Sequence, residues 1–195
     1  MARAAVNEGG SNDAARGGRR PADAPQRRGA ASARLFVASW PDESVRAALR
    51  EVCAAWRWPP NAAVVQAYRL HLTLHFIGDW PRERIPALRV ALDLPFAGCE
   101  LTLDTAALWR SGVAVLEASV VPEPLAALHR ALGAALRSVG APLDARRWRP
   151  HVTLARRAGT EAPAIAPLVW PLRGFALVES RLAAPPRYDV IANYA

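Results

Sequence analysis

Apolar and polar positions alternate along the chain in two periods, and from Arg34 onward they mark out strands and amphipathic helices. Arg34-Leu35-Phe36-Val37-Ala38 reads as a strand. Pro41, Asp42 and Glu43 suit a first helical turn, and Val45, Leu49, Val52 and Trp56 continue it at helical spacing until Pro59-Pro60. Val64 to Leu70 and His71 to Ile77 read as strand, stopped by Gly78-Asp79. A second helix follows Trp80-Pro81 with Ile85, Leu88 and Leu92 inward and Pro86 in its first turn. Glu100 to Thr105 and Val113 to Val121 alternate as strands. A third helix spans Glu123 to Val139 with Leu125, Leu128, Leu132, Leu136 and Val139 inward and Gly140 as its stop. Trp148 to Ala155, Leu172 to Leu182 and Arg187 to Ala192 complete the strands. The order β-α-β-α-β-β-α-β-β-β predicts an α+β protein.

Residues 1 to 33 break the pattern. They are Ala, Gly, Arg, Pro and Asp with almost no large apolar side chain, too little to offset the entropy of ordering, so a disordered arm is expected. The folded domain is therefore assigned to residues 34–195. The chain holds no run approaching the roughly 18 apolar residues that span a bilayer and no secretory h-region, and a cytoplasmic protein with no membrane partner is expected. Cys53 and Cys99 stand alone without CxxC spacing, which suggests no disulfide framework and no structural zinc. The net charge is +8, every basic residue is arginine, and a positive field favours anionic partners. The lack of lysine excludes Schiff-base chemistry and the lysyl-nucleotide intermediate of ATP-dependent ligases.

The chemistry concentrates in a repeated tetrapeptide. His71-Leu72-Thr73-Leu74 and His151-Val152-Thr153-Leu154 lie 80 residues apart and use two of only four histidines. In a strand, residues i and i+2 share a face, so each copy presents an imidazole beside a hydroxyl, with the apolar residues behind. One HxT carries no weight; two, each in an apolar strand, suggest a symmetric acid/base pair in two similar lobes. The plain alternative is two strand histidines satisfied by backbone carbonyls. Opening a cyclic phosphodiester needs a proton removed from water and another delivered to the leaving sugar oxygen. Imidazole titrates in the right range for both. Thr73 and Thr153 can donate to the non-bridging oxygens. No metal and no cofactor is needed.

These motifs carry a family resemblance. Arg34 to Ala38, His71-Leu72-Thr73-Leu74-His75-Phe76-Ile77-Gly78 and Arg146 to Arg156 resemble the RNA 2′,3′-cyclic phosphodiesterases. These are the LigT-like branch of the two-histidine phosphoesterases, once described as 2′-5′ RNA ligases. The resemblance covers residues 34 to 192. It implies a bilobal α+β fold, with two antiparallel sheets flanking a central cleft, helices outside and a pseudo-twofold. It also implies opening of RNA 2′,3′-cyclic phosphate ends to 2′-phosphates, with His71 as proton donor, His151 as proton acceptor, and Thr73 and Thr153 on the phosphate. The chain departs from the family in having no lysine and in carrying Tyr194 where relatives often have tryptophan.

Other residues have two readings each. His75, at i+4 from His71, either reaches the substrate at the cleft mouth or faces solvent; a His71/His75 metal pair is disfavoured because that spacing suits a helix. His129 reads as helix-flank packing. Arg146 and Trp148, in the basic-aromatic stretch before the second motif, either contact RNA or form a solvated edge with Trp148 in the core. Arg156 matches a family arginine, yet its odd spacing from His151 points it away from the cleft of a straight strand, where an ion pair is the rival. Tyr188, on the late strand, is a candidate substrate contact, and Phe36 either lines the cleft or fills the core, with the core favoured. The expected partners are RNA ends or small cyclic nucleotides, with no obligate protein partner and a monomeric state. The rival functions are a phosphodiesterase for a small cyclic nucleotide or 2′-5′ oligonucleotide, and an RNA-binding protein without turnover.

Overall fold

The computed structural model describes residues 31–159, 161–181 and 186–195. Of the arm expected over residues 1–33, residues 1–30 lie outside the described residues, and the first strand already begins at Ser32. The strands are β1 (Ser32–Ser39), β2 (Ala63–Val64), β3 (Leu72–Pro81), β4 (Cys99–Leu103), β5 (Thr105–Trp109), β6 (Val113–Glu117), β7 (His151–Arg156), β8 (Leu168–Leu172), β9 (Phe175–Arg181) and β10 (Arg187–Tyr194). Three α-helices, α1 (Glu43–Ala55), α2 (Ile85–Ala91) and α3 (Glu123–Ser138), accompany them. All observed strand pairings are antiparallel. Two half-sheets, β10-β9-β1-β3 and β7-β6-β5 with β2 beside β7, meet edge to edge, and β4-β8 forms a separate ribbon. The α+β class and the pair of antiparallel sheets expected from sequence are both present.

Among the described residues, strand pairing joins the two half-sheets through a single residue pair, Leu72 opposite Val152. These are the middle residues of the two HxT motifs. Both are fully buried in the main core, and burying each is worth about 1.5–3 kcal/mol. Core packing therefore fixes the point at which the two motifs face each other.

Strand β1, next to β3, separates two environments. On β1, Leu35 and Val37 enter the main core beneath the helices, whereas Phe36 and Ala38 join Ala176 and Val178 in a smaller cluster on the opposite face. Helix α1 starts where expected, since the Asp42 side chain accepts from the Val45 amide at 2.9 Å. Leu125, Leu128, Leu132 and Leu136 bury α3. Gly140, at φ +78°, ends that helix in the left-handed conformation that favours glycine.

Several boundaries differ from expectation. Val64 to Leu70 is not one strand: pairing with β7 ends after Val64, and Ala67–Arg69 turns through a 3-10 helix before the first motif. The stretch Leu172 to Leu182 divides at Arg173-Gly174, because β8 pairs with β4 while β9 pairs with β1. Gly174 is required at that corner, where a Cβ would run into the Tyr194 carbonyl. The strand expected from Glu100 ends at Leu103, and β5, which pairs with β6, was not foreseen as a strand of its own. Strand β7 starts at His151 rather than Trp148, just after Pro150, which has no amide to donate.

Candidate active site

Around the Leu72–Val152 pair the two motifs are built alike. His71 Nδ1 donates to the Arg69 carbonyl at 2.6 Å, and His151 Nδ1 donates to the Arg149 carbonyl at 2.7 Å. A carbonyl only accepts, so each Nδ1 carries its proton and each Nε2 is left as the working nitrogen. The partner sits two residues before the histidine in both cases, so the repeat is Arg-x-His-x-Thr-Leu. That longer repeat is visible in the sequence, and Arg69, absent from the expected site, could have been found by it. His71, Thr73, His151 and Thr153 all line one cleft of about 680 Å³.

The likeness extends to the strand irregularities. In β7, Ala155 pairs with Ala114 but Thr153 pairs with Val115, so Leu154 is an extra residue. In β3, Thr73 pairs with Ala38 but His75 pairs with Val37, so Leu74 is extra. Each motif leucine is thus a β-bulge, and each bulge reverses the alternation beyond it. Two expectations change as a result. Arg156 does not point away from the cleft: it pairs with Val113, on the same face as Thr153 and His151, and lines the cleft beside them. His75 does not share the face of His71 and Thr73. It turns toward α3, where its Nε2 bonds the His129 carbonyl at 2.9 Å. The residue five positions after each histidine, Phe76 or Arg156, is the one returned to the cleft.

The surroundings of the two imidazoles differ. His71 lies among aromatic rings, with Phe36 at 5.1 Å, Trp40 stacked at 5.2 Å and Tyr188 edge-on at 5.3 Å between centroids. Phe36 is therefore buried on the cleft side, not in the main core, and Tyr188 lines the cleft. Trp40 was missed; nothing local marks a tryptophan at a strand end as a ring partner. Arg69 covers Tyr188, with its guanidinium carbon 4.7 Å from the ring centroid and Nη2 donating to the hydroxyl at 3.1 Å. Burial holds the His71 pKa below the usual imidazole range; the Arg69 carbonyl bond opposes this, and the positive charges of Arg69 and His151 add to it.

His151 instead faces a carboxylate. Its cross-strand partner is Glu117, a buried acid that accepts from Trp109 Nε1 at 2.9 Å and from Arg149 Nη2 at 2.6 Å. The Trp109 ring lies 4.5 Å from that of His151. Arg149 thus holds the histidine with its carbonyl and the acid with its guanidinium. Burial lowers the His151 pKa, the Arg149 carbonyl and Glu117 raise it, and the charges of Arg149 and Arg156 lower it. Glu117 and Trp109 were not foreseen, since cross-strand partnership leaves no local signal.

The remaining candidates are placed as follows. Trp148 donates from Nε1 to the Thr73 carbonyl at 3.1 Å, tying the approach of the second motif to the first. One face of Trp148 stacks on His129 at 4.1 Å, and His129 stacks on His75 at 4.1 Å. His129 is accordingly one layer of a three-ring stack, more than helix-flank packing. Arg146 lines the cleft and is bound to Asp144, whose carboxyl it holds down to about 2. Burial pushes the Cys53 thiol up to about 11, which suits an inert side chain. Among the described residues no three His, Cys, Asp or Glu side chains cluster as metal ligands. Nor, among those residues, is any helix long and apolar enough to cross a membrane.

Two family models match the chain, one over each motif. The model for LigT-like phosphoesterases matches residues 40–115, and that for the 2′-5′ RNA ligase superfamily matches residues 95–184. An RNA 2′,3′-cyclic phosphodiesterase of Thermus thermophilus is 35% identical over 184 residues, covering 83% of this chain and 89% of the relative. A protein of the same name from Escherichia coli is 38% identical over 140 residues, covering 69% and 77%. The crystal structure of E. coli LigT complexed with 3′-AMP superposes with a TM-score of 0.76 at 31% identity, covering 85% of this chain and 98% of the other. With twin Arg-x-His-x-Thr-Leu segments closing on one cleft, and with identity of this extent, the chain belongs to the LigT-like phosphoesterases of the 2′-5′ RNA ligase superfamily.

Proposed function

We propose that this protein hydrolyses 2′,3′-cyclic phosphates at RNA ends, leaving 2′-phosphomonoesters. The observation that carries the reading is the paired geometry: two imidazoles, each held through Nδ1 by the carbonyl two residues earlier, flank one pair of threonines in one cleft. The names of the Thermus and E. coli relatives point the same way. The phosphate sits between the motifs, its non-bridging oxygens taking the Thr73 and Thr153 hydroxyls and the Arg156 guanidinium. His151 removes a proton from water as the water oxygen bonds to phosphorus. The bond from phosphorus to O3′ breaks opposite it, and His71 delivers the proton that O3′ requires.

The electrostatic asymmetry supports that polarity. Glu117 favours the imidazolium that forms on His151, while burial and the Arg69 charge favour release of the proton from His71, which has no carboxylate to hold it. After turnover His151 holds a proton and His71 lacks one, so one exchange with solvent resets the pair. No step calls for a metal or cofactor. Both motifs come from one chain, so a monomer without a protein partner suffices. An RNA substrate supports a cytoplasmic location. The test is incubation of an oligonucleotide bearing a 2′,3′-cyclic phosphate with the protein and a chelator. A 2′-monoester is expected; a 3′-monoester, or no product without added metal, would overturn the scheme.

A further inference from the structure

A second cavity, of about 340 Å³, adjoins the catalytic cleft on the α3 side and shares Thr73, Phe76, Arg146 and His151 with it. It does not include His71, Arg69 or Arg156. His71, Thr73, His151, Thr153 and Arg156, which serve the phosphate in the scheme above, all line the larger cleft, which leaves the rest of the smaller cavity free for another part of the substrate. The cavity's volume lies in the range of small-ligand sites, roughly 300–1,000 Å³.

The lining states what kind of occupant fits. The walls are aromatic: Trp109, Trp148 and Phe76, with the stacked rings of His75 and His129 behind. Burial holds the His129 pKa down to about 4, so that wall is uncharged near neutral pH. Positive charge sits at the edge, on exposed Arg146 and Arg147, and the acid of the lining, Asp144, is bound to Arg146. Phe76 stands between the two cavities. It is 47% exposed, with the Arg34 guanidinium 4.7 Å over its ring. It stands five residues after His71 as Arg156 stands five after His151, so the cleft carries a cation after one motif and an aromatic face after the other. Flat neutral walls with cations at the rim are the combination that binds a stacked base and its backbone phosphate.

We propose that this cavity binds the nucleotide on the 5′ side of the cyclic end, its base against the Phe76–Trp109 walls and its phosphodiester at Arg147. The inference rests on the cyclic phosphodiesterase reading and deepens it: the RNA end is recognised through its penultimate nucleotide as well as through the cyclic phosphate. The test compares kcat/KM for a nucleoside 2′,3′-cyclic monophosphate with that for a dinucleotide ending in the same group, using the intact protein. The dinucleotide is preferred by about tenfold or more, as stacking of one base allows. Its log KM also rises about 0.7 more steeply with log salt, for the one added phosphate. Arg147→Ala and Phe76→Ala, both at exposed positions, each shrink the preference several-fold. Equal kcat/KM for the two substrates, or a preference that survives both substitutions, overturns the subsite while leaving the chemistry intact. Failure to hydrolyse either substrate overturns the cyclic phosphodiesterase reading itself.

Discussion

Arg156 owes its place in the cleft to one extra residue in a strand, and its substitution tests that placement. Arg156→Ala removes a guanidinium that shares a face with His151 and Thr153. If it donates to the phosphoryl oxygens as charge accumulates, its loss lowers kcat by about 10²–10³, or about 2.7–4 kcal/mol of transition-state stabilisation. The fold is spared, because the side chain is exposed; a change within about 0.5 kcal/mol corresponds to a Tm shift of about 1–2 °C. The pH profile supplies a third observable. Arg156 disfavours the protonated form of His151, so its removal raises the His151 pKa. The base must be neutral to accept a proton, so the acidic limb of kcat/KM moves to higher pH. Steady-state kinetics across pH, with thermal melts of both proteins, read all three. A straight strand would put Arg156 on the other face, in a structural ion pair. Activity within threefold of the parent, a large loss of Tm, or an acidic limb moving to lower pH would refute the bulge-based placement.

Two further substitutions probe the electrostatics. Glu117→Gln removes the carboxylate that raises the His151 pKa, so the acidic limb moves to lower pH, the reverse of Arg156→Ala; an unchanged limb with only a lower Tm would make Glu117 purely structural. His129, with its pKa lowered to about 4 against an unfolded value of 6.5, favours the neutral folded form. Its contribution to stability is complete above pH 6.5 and is lost as pH falls toward about 4, because the unfolded chain takes up the proton first. Urea midpoints should fall through that window, and His129→Gln should flatten the fall.

Much of the site was legible because its chemistry is local. The HxT pairs present imidazole and hydroxyl together through the period of a strand, and α1 and α3 follow from apolar spacing with Asp42 and Gly140 at their ends. What the sequence hid is non-local. A bulge exists only relative to a partner strand, so nothing around Leu74 or Leu154 signals the shift that moves His75 out of the cleft and Arg156 into it. Glu117 and Trp109 reach His151 through pairings set by β5, β6 and β7. The split of the last strands at Arg173-Gly174 depends likewise on which neighbours β8 and β9 find. The same bulge in both motifs gives the repeated leucine a reason: it is the residue that lets the side chain five positions after each histidine rejoin the active face.

The most direct measurement of the central claim is single-turnover cleavage of a cyclic-phosphate-ended oligonucleotide by His71→Ala, His151→Ala and the double variant. General acid–base partners contribute about 10²–10⁴ each, and groups acting as one unit do not add. Each single variant should lose at least a hundredfold in rate, with the double variant little worse than the slower single one and all three melting near the parent. A rate within tenfold of the parent in either single variant would contradict the paired-imidazole mechanism.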